Sequence, residues 1–166
     1  MGSTMNREIT IATAYDTDEL LTLYKSQHGR EYCPWEEDYP SRDTIEFDLS
    51  RDALFVMKED GKIIAAISID LDPDVDALAC WTPDLQPGGE TSRLAVAIDY
   101  QNQGIARQML LYAMGVLRER GYKSIHFLVN RLNVKALKSY DKLEFNNVGE
   151  TFMYNQPFFC YEKALV

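Results

Sequence analysis

"DYQNQGIARQML", residues 99–110, decides the reading of this chain. It follows the apolar run "RLAVAI" (93–98) and opens a helical pattern in which Ile105, Met109, Ala113 and Val116 recur at three- and four-residue spacing. A strand that passes into a helix through Gly104 and Ala106 carries little side chain at the turn, so something comes close to the backbone there. The first N–H groups of a helix have no partner inside it, and the helix dipole puts its positive end at the same place, which makes an anion site. Gln101, Asn102, Gln103, Gly104, Ile105 and Ala106 form this terminus, and Arg107 adds a cation. Close helix–strand packing also favours small residues, and this motif alone leaves both readings open. Two phosphate loops are excluded, since no Gly-Lys-Ser/Thr triplet occurs and no G-x-G-x-x-G follows the first strand.

A second stretch, "NVKALKSYDKLEF" (133–145), shifts the balance. Asn133 stands at a helix N-cap, Ala136 lies three residues on, and Tyr140 lies seven on, about two turns along the same face. An amide, a shallow gap and a phenol on one face suit an extended, amide-containing ligand with its reactive end near the phenol. A lone tyrosine here reads more readily as an amphipathic core residue. Two such sites in adjacent strand–helix units favour the ligand.

The rest of the chain supplies a frame. "EITIAT" (8–13) alternates as a strand, and Asp16 with Glu19 forms a capping-box pattern before a helix. Ser41 caps a second helix through Leu49. "ALFVMK" and "KIIAAISID" flank Asp60-Gly61 as a hairpin. "DALAC" (76–80) reads as a short strand, "TSRLAVAI" (91–98) as a longer one, and 104–120 as a helix ended by Gly121. "SIHFLV" is a strand, 133–143 a helix, and "NNVGETF" and "FFCYEKAL" are two closing strands. The order is β-α-α-β-β-β-α-β-α-β-β, with no repeat or linker, so residues 5–166 are expected to form one domain. Residues 1–4, "MGST" ahead of a second Met, read as a cloning remnant.

Composition narrows the class. A net charge of −9 argues against a nucleic-acid surface, which needs clustered Lys and Arg. No apolar run approaches the ~20 residues needed to span a bilayer, and the N-terminus lacks a signal-peptide pattern, so the chain is expected to be cytoplasmic with no membrane partner. Cys33, Cys80 and Cys160 are far apart in sequence and in no metal-ligand spacing, and only His28 and His126 accompany them; reduced thiols and no metal are expected.

Together, "RLAVAIDYQNQGIARQMLLYA" and "NVKALKSYDKLEF" resemble the GNAT superfamily of acyl-CoA N-acyltransferases, with its L-x-V strand, Q/R-x-x-G-x-G/A turn and N-x-x-A-x-x-x-Y helix. The clear match runs from residue 93 to 145. The resemblance implies an α/β fold with a mixed central sheet of six to seven strands, about four flanking helices, and a splay between the fourth and fifth strands. It implies acetyl-CoA as cosubstrate, with its pyrophosphate on the main chain of residues 103–107. Leu94, Ala95 and Val96 would pair with the pantetheine amides as a strand edge. Asn133 would hold the pantetheine arm, and Tyr140 would face the thioester sulfur as general acid. Glu144 departs from the family's glycine at a position that favours φ > 0, so strain is expected at that helix end.

Acetyl transfer to an amine needs a route for the amine's proton, a group for the oxyanion, and a proton for the departing thiolate. By resemblance the Val96 N–H meets the oxyanion. Glu90 is the nearest carboxylate for a base, and it reads equally as an exposed acid beside Gly88-Gly89. His126 reads as a sheet residue, and a water chain would also serve. In "EYCPWEEDYP" (31–40), Tyr32, Trp35, Glu36, Glu37, Asp38 and Tyr39 favour an amine-bearing acceptor, with a solvated acidic loop as the competing reading. Two function classes remain: an acetyl-CoA-dependent N-acetyltransferase acting on a small-molecule or peptide amine, and a non-catalytic acyl-CoA-binding module. Homodimerisation through the strand-rich C-terminus or residues 73–89 is compatible with either.

Overall fold

The computed structural model describes residues 6–30, 33, 35–36 and 38–165. Residues 1–4, Tyr32 and Glu37, singled out above, lie outside the described residues. The expected mixed α/β sheet is present, with seven strands and five helices among the described residues. The backbone clusters into two compact units, Met1–Ile69 with Ser92–Ala113, and Asp70–Thr91 with Met114–Val166.

In the first unit, β1 (Arg7–Ile11) pairs antiparallel with β2 (Leu54–Glu59), from Arg7↔Glu59 to Ile11↔Phe55. β2 pairs in turn with β3 (Lys62–Asp70) through Asp60 (φ 50) and Gly61 (φ 84). Two successive left-handed residues make the hairpin turn whose twist matches the strands. α1 (Thr17–Ser26) and α2 (Arg42–Ser50) bury Leu20, Leu23, Tyr24 and Ile45 with Leu54 and Val56 of β2. Because strand side chains alternate, Phe55 faces the other way, where its ring lies 5.5 Å from Tyr112 of α4 (Ile105–Glu119).

The capping box of α1 is displaced from its expected place. Thr13 and Asp16 form it, the Thr13 N–H donating to Asp16 Oδ2 at 2.9 Å, one turn before the helix proper. Glu19 instead accepts the Ile63 N–H at 3.1 Å and ties α1 to β3. The Ser41 cap is as expected, its Oγ accepting the Thr44 N–H at 3.4 Å.

In the second unit, the start of β4 (Gly88–Val96) runs parallel to β5 (Ser124–Asn130), in register Gly88↔Ser124, Gly89↔Ile125 and Glu90↔His126. β4 begins three residues before the run read as strand. The glycine pair belongs in the ladder because a Cβ on Gly88 would meet Ser124 Oγ at 2.7 Å and His126 Nδ1 at 2.9 Å. Registered pairs end at Glu90 among the described residues, three short of Arg93, where the β4 backbone turns left-handed at φ 50. β7 (Gln156–Ala164) pairs antiparallel with β5 and with β6 (Asn146–Met153).

"DALAC" is not a strand. Asp72 caps and Pro73 opens a four-residue helix, α3 (Pro73–Asp76), since a fixed φ at the first helical position outweighs a short alternation. Trp81 Nε1 then donates to Val75 O at 2.8 Å and folds the following turns back onto it. Among the described residues, no helix is long and apolar enough to cross a membrane.

α5 (Val134–Lys142) ends in a Schellman motif, with Phe145 N–H donating to Tyr140 O at 3.1 Å and Glu144 N–H to Asp141 O at 3.0 Å. Glu144 occupies its left-handed position at φ 65, as its departure from glycine implied. A side chain there costs ~1–2 kcal/mol of backbone strain, offset partly by glycine's greater freedom when unfolded. Glu144→Gly is therefore expected to stabilise the protein by about 0.5–1 kcal/mol in urea unfolding. An unchanged midpoint would show that the motif carries no strain.

Candidate active site

The candidate residues divide between the two units. In the first, β4 runs into a 3-10 turn (Ile98–Tyr100) and then α4. Tyr100 anchors the turn, its Oη donating to Glu59 Oε1 at 3.1 Å while Arg7 Nε holds Glu59 Oε2 at 2.6 Å. Asn102 and Gly104 both take left-handed backbones, φ 62 and φ 78, and the first α4 bond runs from Gln108 N–H to Gly104 O at 3.1 Å. A Cβ on Gly104 would meet nothing within 4 Å. Close packing therefore does not account for this glycine; its backbone conformation does.

Gln103, Ala106 and Arg107 are exposed around the turn, and Ile105 is buried under it. Gln101 points elsewhere. Its Nε2 donates to Val96 O at 3.1 Å, and Gln27 Nε2 donates to the same oxygen at 2.9 Å. Two side-chain amides thus fix the end of β4, next to Leu94 and Ala95, and hold the peptide after Val96.

Rings gather around Trp35, which lies edge-on to Tyr24 at 5.5 Å, Tyr39 at 6.4 Å and His28 at 6.5 Å. Glu36 is exposed beside them. Arg93 Nη1 donates to Tyr39 Oη at 2.9 Å, and its Nη2 donates to Asp48 Oδ1 at 2.8 Å and Oδ2 at 3.0 Å. Arg51 Nη2 and Ser68 Oγ also donate to the Asp48 carboxylate, at 2.5 Å and 2.8 Å. Asp48 has no exposed surface, and that desolvation pushes its pKa up against the opposing pull of Arg93. Sequence reading missed this pair and Gln27. The available signal was Arg93 inside an apolar strand and Asp48 three residues after Ile45, on the buried side of α2.

In the second unit, Asn133 caps α5, its Oδ1 accepting the Ala136 N–H at 3.2 Å. Ala136 is half-buried and one turn from Tyr140. The Tyr140 ring packs against Phe127 at 4.7 Å, Phe145 at 6.0 Å and Tyr161 at 6.0 Å, and this burial pushes its phenol up to about 12. Glu90 is buried, not exposed, with a carboxylate oxygen within 4.8 Å of those of Asp70 and Asp72. His126 is buried too. Its ring stacks on Trp81 at 4.4 Å and its Nε2 lies 2.9 Å from Asp76 Oδ1, the place of a sheet residue.

A sequence model of the Acetyltransferase (GNAT) family matches residues 17–145, and the chain belongs to that family. The fold recurs in the ribosomal-protein-S18-alanine N-acetyltransferase of Escherichia coli, 18% identical over 96% of this chain and 94% of that one, with a TM-score of 0.73. It recurs in the PaiA N-acetyltransferase of Thermoplasma acidophilum, solved with coenzyme A (18% identity, 96% and 99% coverage, TM-score 0.73). A third likeness is yncA of Salmonella typhimurium, solved with its cofactor acetyl-CoA (16% identity, 97% and 95% coverage, TM-score 0.73). No curated protein sequence matches the chain.

Removing one partner of a buried ion pair leaves the other charge uncompensated, at ~3–5 kcal/mol, whereas an exposed pair contributes ~0–1 kcal/mol. Asp48→Asn is expected to lose the larger amount in urea unfolding, and Asp18→Asn, at the exposed pair with Arg42, to lose almost nothing. Equal losses would mean that Asp48 acts only as a helix residue.

Proposed function

We propose that the protein transfers an acetyl group from acetyl-CoA to a primary amine by direct attack in a ternary complex. The observation that carries this reading is the turn at Gly104, left-handed, exposed and without a neighbour to pack against, at the start of a fifteen-residue helix. Its main chain, from Gln103 to Arg107, receives the pyrophosphate, with backbone N–H groups donating and Arg107 adding charge. Gln101 serves through Val96, holding the end of β4 in place. Proteins of the same fold solved with acetyl-CoA and with coenzyme A support a coenzyme A cosubstrate.

The amine lone pair attacks the thioester carbonyl carbon, the oxyanion forms against the Val96 N–H, and the C–S bond then breaks. Asn133 Oδ1 is engaged by its own helix, so its Nδ2 is the group that meets a pantetheine carbonyl. Tyr140 lies on the same face of α5. A phenol near 12 is a weaker acid than a thiol at ~8.5, so Tyr140 stabilises the departing thiolate by donating a hydrogen bond and keeps its own proton. Glu90 is the base candidate, and its burial favours a proton route through bound water. Trp35, Tyr39 and Glu36 form the acceptor side, where Glu36 is the exposed carboxylate available to an amine.

Calorimetric titration with acetyl-CoA, dephospho-coenzyme A and NADH tests the cofactor. Selective binding of acetyl-CoA is expected, and Gly104→Val should weaken it at least ~10-fold, since a β-branched residue resists a left-handed backbone. Unchanged affinity in the folded variant would remove the pyrophosphate from this turn. Tyr140→Phe should lower kcat by roughly 10²-fold with acetyl-CoA affinity preserved. Since its phenol stays protonated until about pH 12, the wild-type rate should show no alkaline loss from Tyr140 in the neutral range.

A further inference from the structure

Two of the three cysteines, 80 residues apart in the chain, meet in the second unit. Cys160 on β7 is opposite Leu128 of β5 and Gly149 of β6. Residues directly opposite in an antiparallel ladder point to the same face, with Cβ atoms ~4.5–5.5 Å apart. The row therefore runs Leu128, Cys160, Gly149, and its last member has no side chain. Cys80 fills that gap. Its Cβ lies 2.7 Å, and its Sγ 3.5 Å, from where a Cβ on Gly149 would stand. Both cysteines belong to one small apolar cluster with Val75 and Trp81.

The two positions are unequal. Cys160 has no exposed surface and sits in the middle of a strand paired on both sides. Cys80 is partly exposed and lies in the turns between α3 and β4, outside any strand ladder, so its backbone can shift as the sulfurs close to bonding distance. Burial pushes the Cys160 thiol up to about 12, leaving Cys80 as the thiol that an oxidant reaches first.

We propose that Cys80 and Cys160 form a peroxide-responsive dithiol that closes to a disulfide and fastens the segment between α3 and β4 to β7. The Cys80 thiolate attacks a peroxide oxygen and the O–O bond breaks. Cys80 becomes a sulfenic acid, and the leaving oxygen takes up a proton. Cys160 sulfur then attacks Cys80 sulfur, the S–O bond breaks, and the departing hydroxide leaves as water with the Cys160 proton. The two thiols give up two electrons, and hydrogen peroxide is reduced to two waters. The segment so fastened is otherwise held by hydrogen bonds, among them Asp76 to His126 and Thr82 Oγ1 to Glu162 Oε1, 2.9 Å and 2.6 Å long. The reading stands apart from the acetyl-transfer reaction.

The wild-type protein tests it directly. After native treatment with hydrogen peroxide, the mass should fall by ~2 Da, alkylatable cysteines should drop from three to one, and a digest should contain a peptide joining Cys80 to Cys160. Dithiothreitol should reverse all three, and the oxidised form should melt roughly 5 °C or more above the reduced form. In Cys160→Ser, whose fold is checked by its melting curve, Cys80 should stop at a sulfenic acid trapped by dimedone. Three cysteines still alkylated after peroxide, or a Cys33-linked dimer with no Cys80–Cys160 peptide, would overturn the proposal.

Discussion

The buried charge on Asp48 constrains the first unit more than any apolar contact. Its carboxylate is closed off from solvent and collects donors from α2, β3 and β4, namely Arg51, Ser68 and Arg93. Ions of this kind contribute little net stability once desolvation is counted, yet leaving one unpaired is expensive. A shift of α2 along the sheet would strand the guanidinium of Arg93. The pair also sits at a left-handed residue, Arg93 at φ 50, in the middle of β4. Strain of this kind persists where the surroundings over-determine it, and bidentate pairing with Asp48 plus the bond to Tyr39 does so.

The turn after β4 inherits that placement. Three residues beyond Arg93, the Val96 carbonyl takes two amide donors, Gln27 just past the end of α1 and Gln101 from the turn itself. Tyr100 is held to Glu59, and Glu59 to Arg7, so the turn is tied to β2 and β1 as well. A loop that presents main-chain N–H groups to an anion gains from being fixed beforehand, because order already present is not charged against binding. Side-chain groups therefore secure the turn from behind, while Gly104 and Ala106 keep bulk low on its exposed front.

Most of this frame was legible, and the failures have definite causes. Among the described residues, apolar patterning and turn signals located the seven strands and four of the helices. "DALAC" misled because alternation over five residues is weaker than the helix start of Asp72 and Pro73. The start of β4 was lost because glycines read as loop, while Gly88 is glycine to make room for Ser124 and His126. The Gly104 turn could be recognised from spacing, though its cause was left open until the backbone angle separated conformation from packing. Arg93 and Asp48 each stood out singly, but their pairing, like the meeting of Cys80 with Cys160, was out of reach, since each joins residues that only the tertiary fold makes neighbours.

The packing of α5 shows how the fold sets chemistry at a candidate site. Tyr140 is held by Phe127, Phe145 and Tyr161, and Phe145 is also the residue whose N–H closes the Schellman motif on Tyr140 O. One arrangement thus ends the helix, fixes the ring and desolvates the phenol. Desolvation disfavours phenolate, so the same contacts that orient Tyr140 keep its proton in place. Such a group suits a leaving thiolate, which forms late and needs a donor already aimed at it, and it suits poorly any step that requires a base. In the proposed reaction the proton of the attacking amine then leaves by another route, and the roles proposed for Tyr140 and Glu90 separate on physical grounds before any substrate is named.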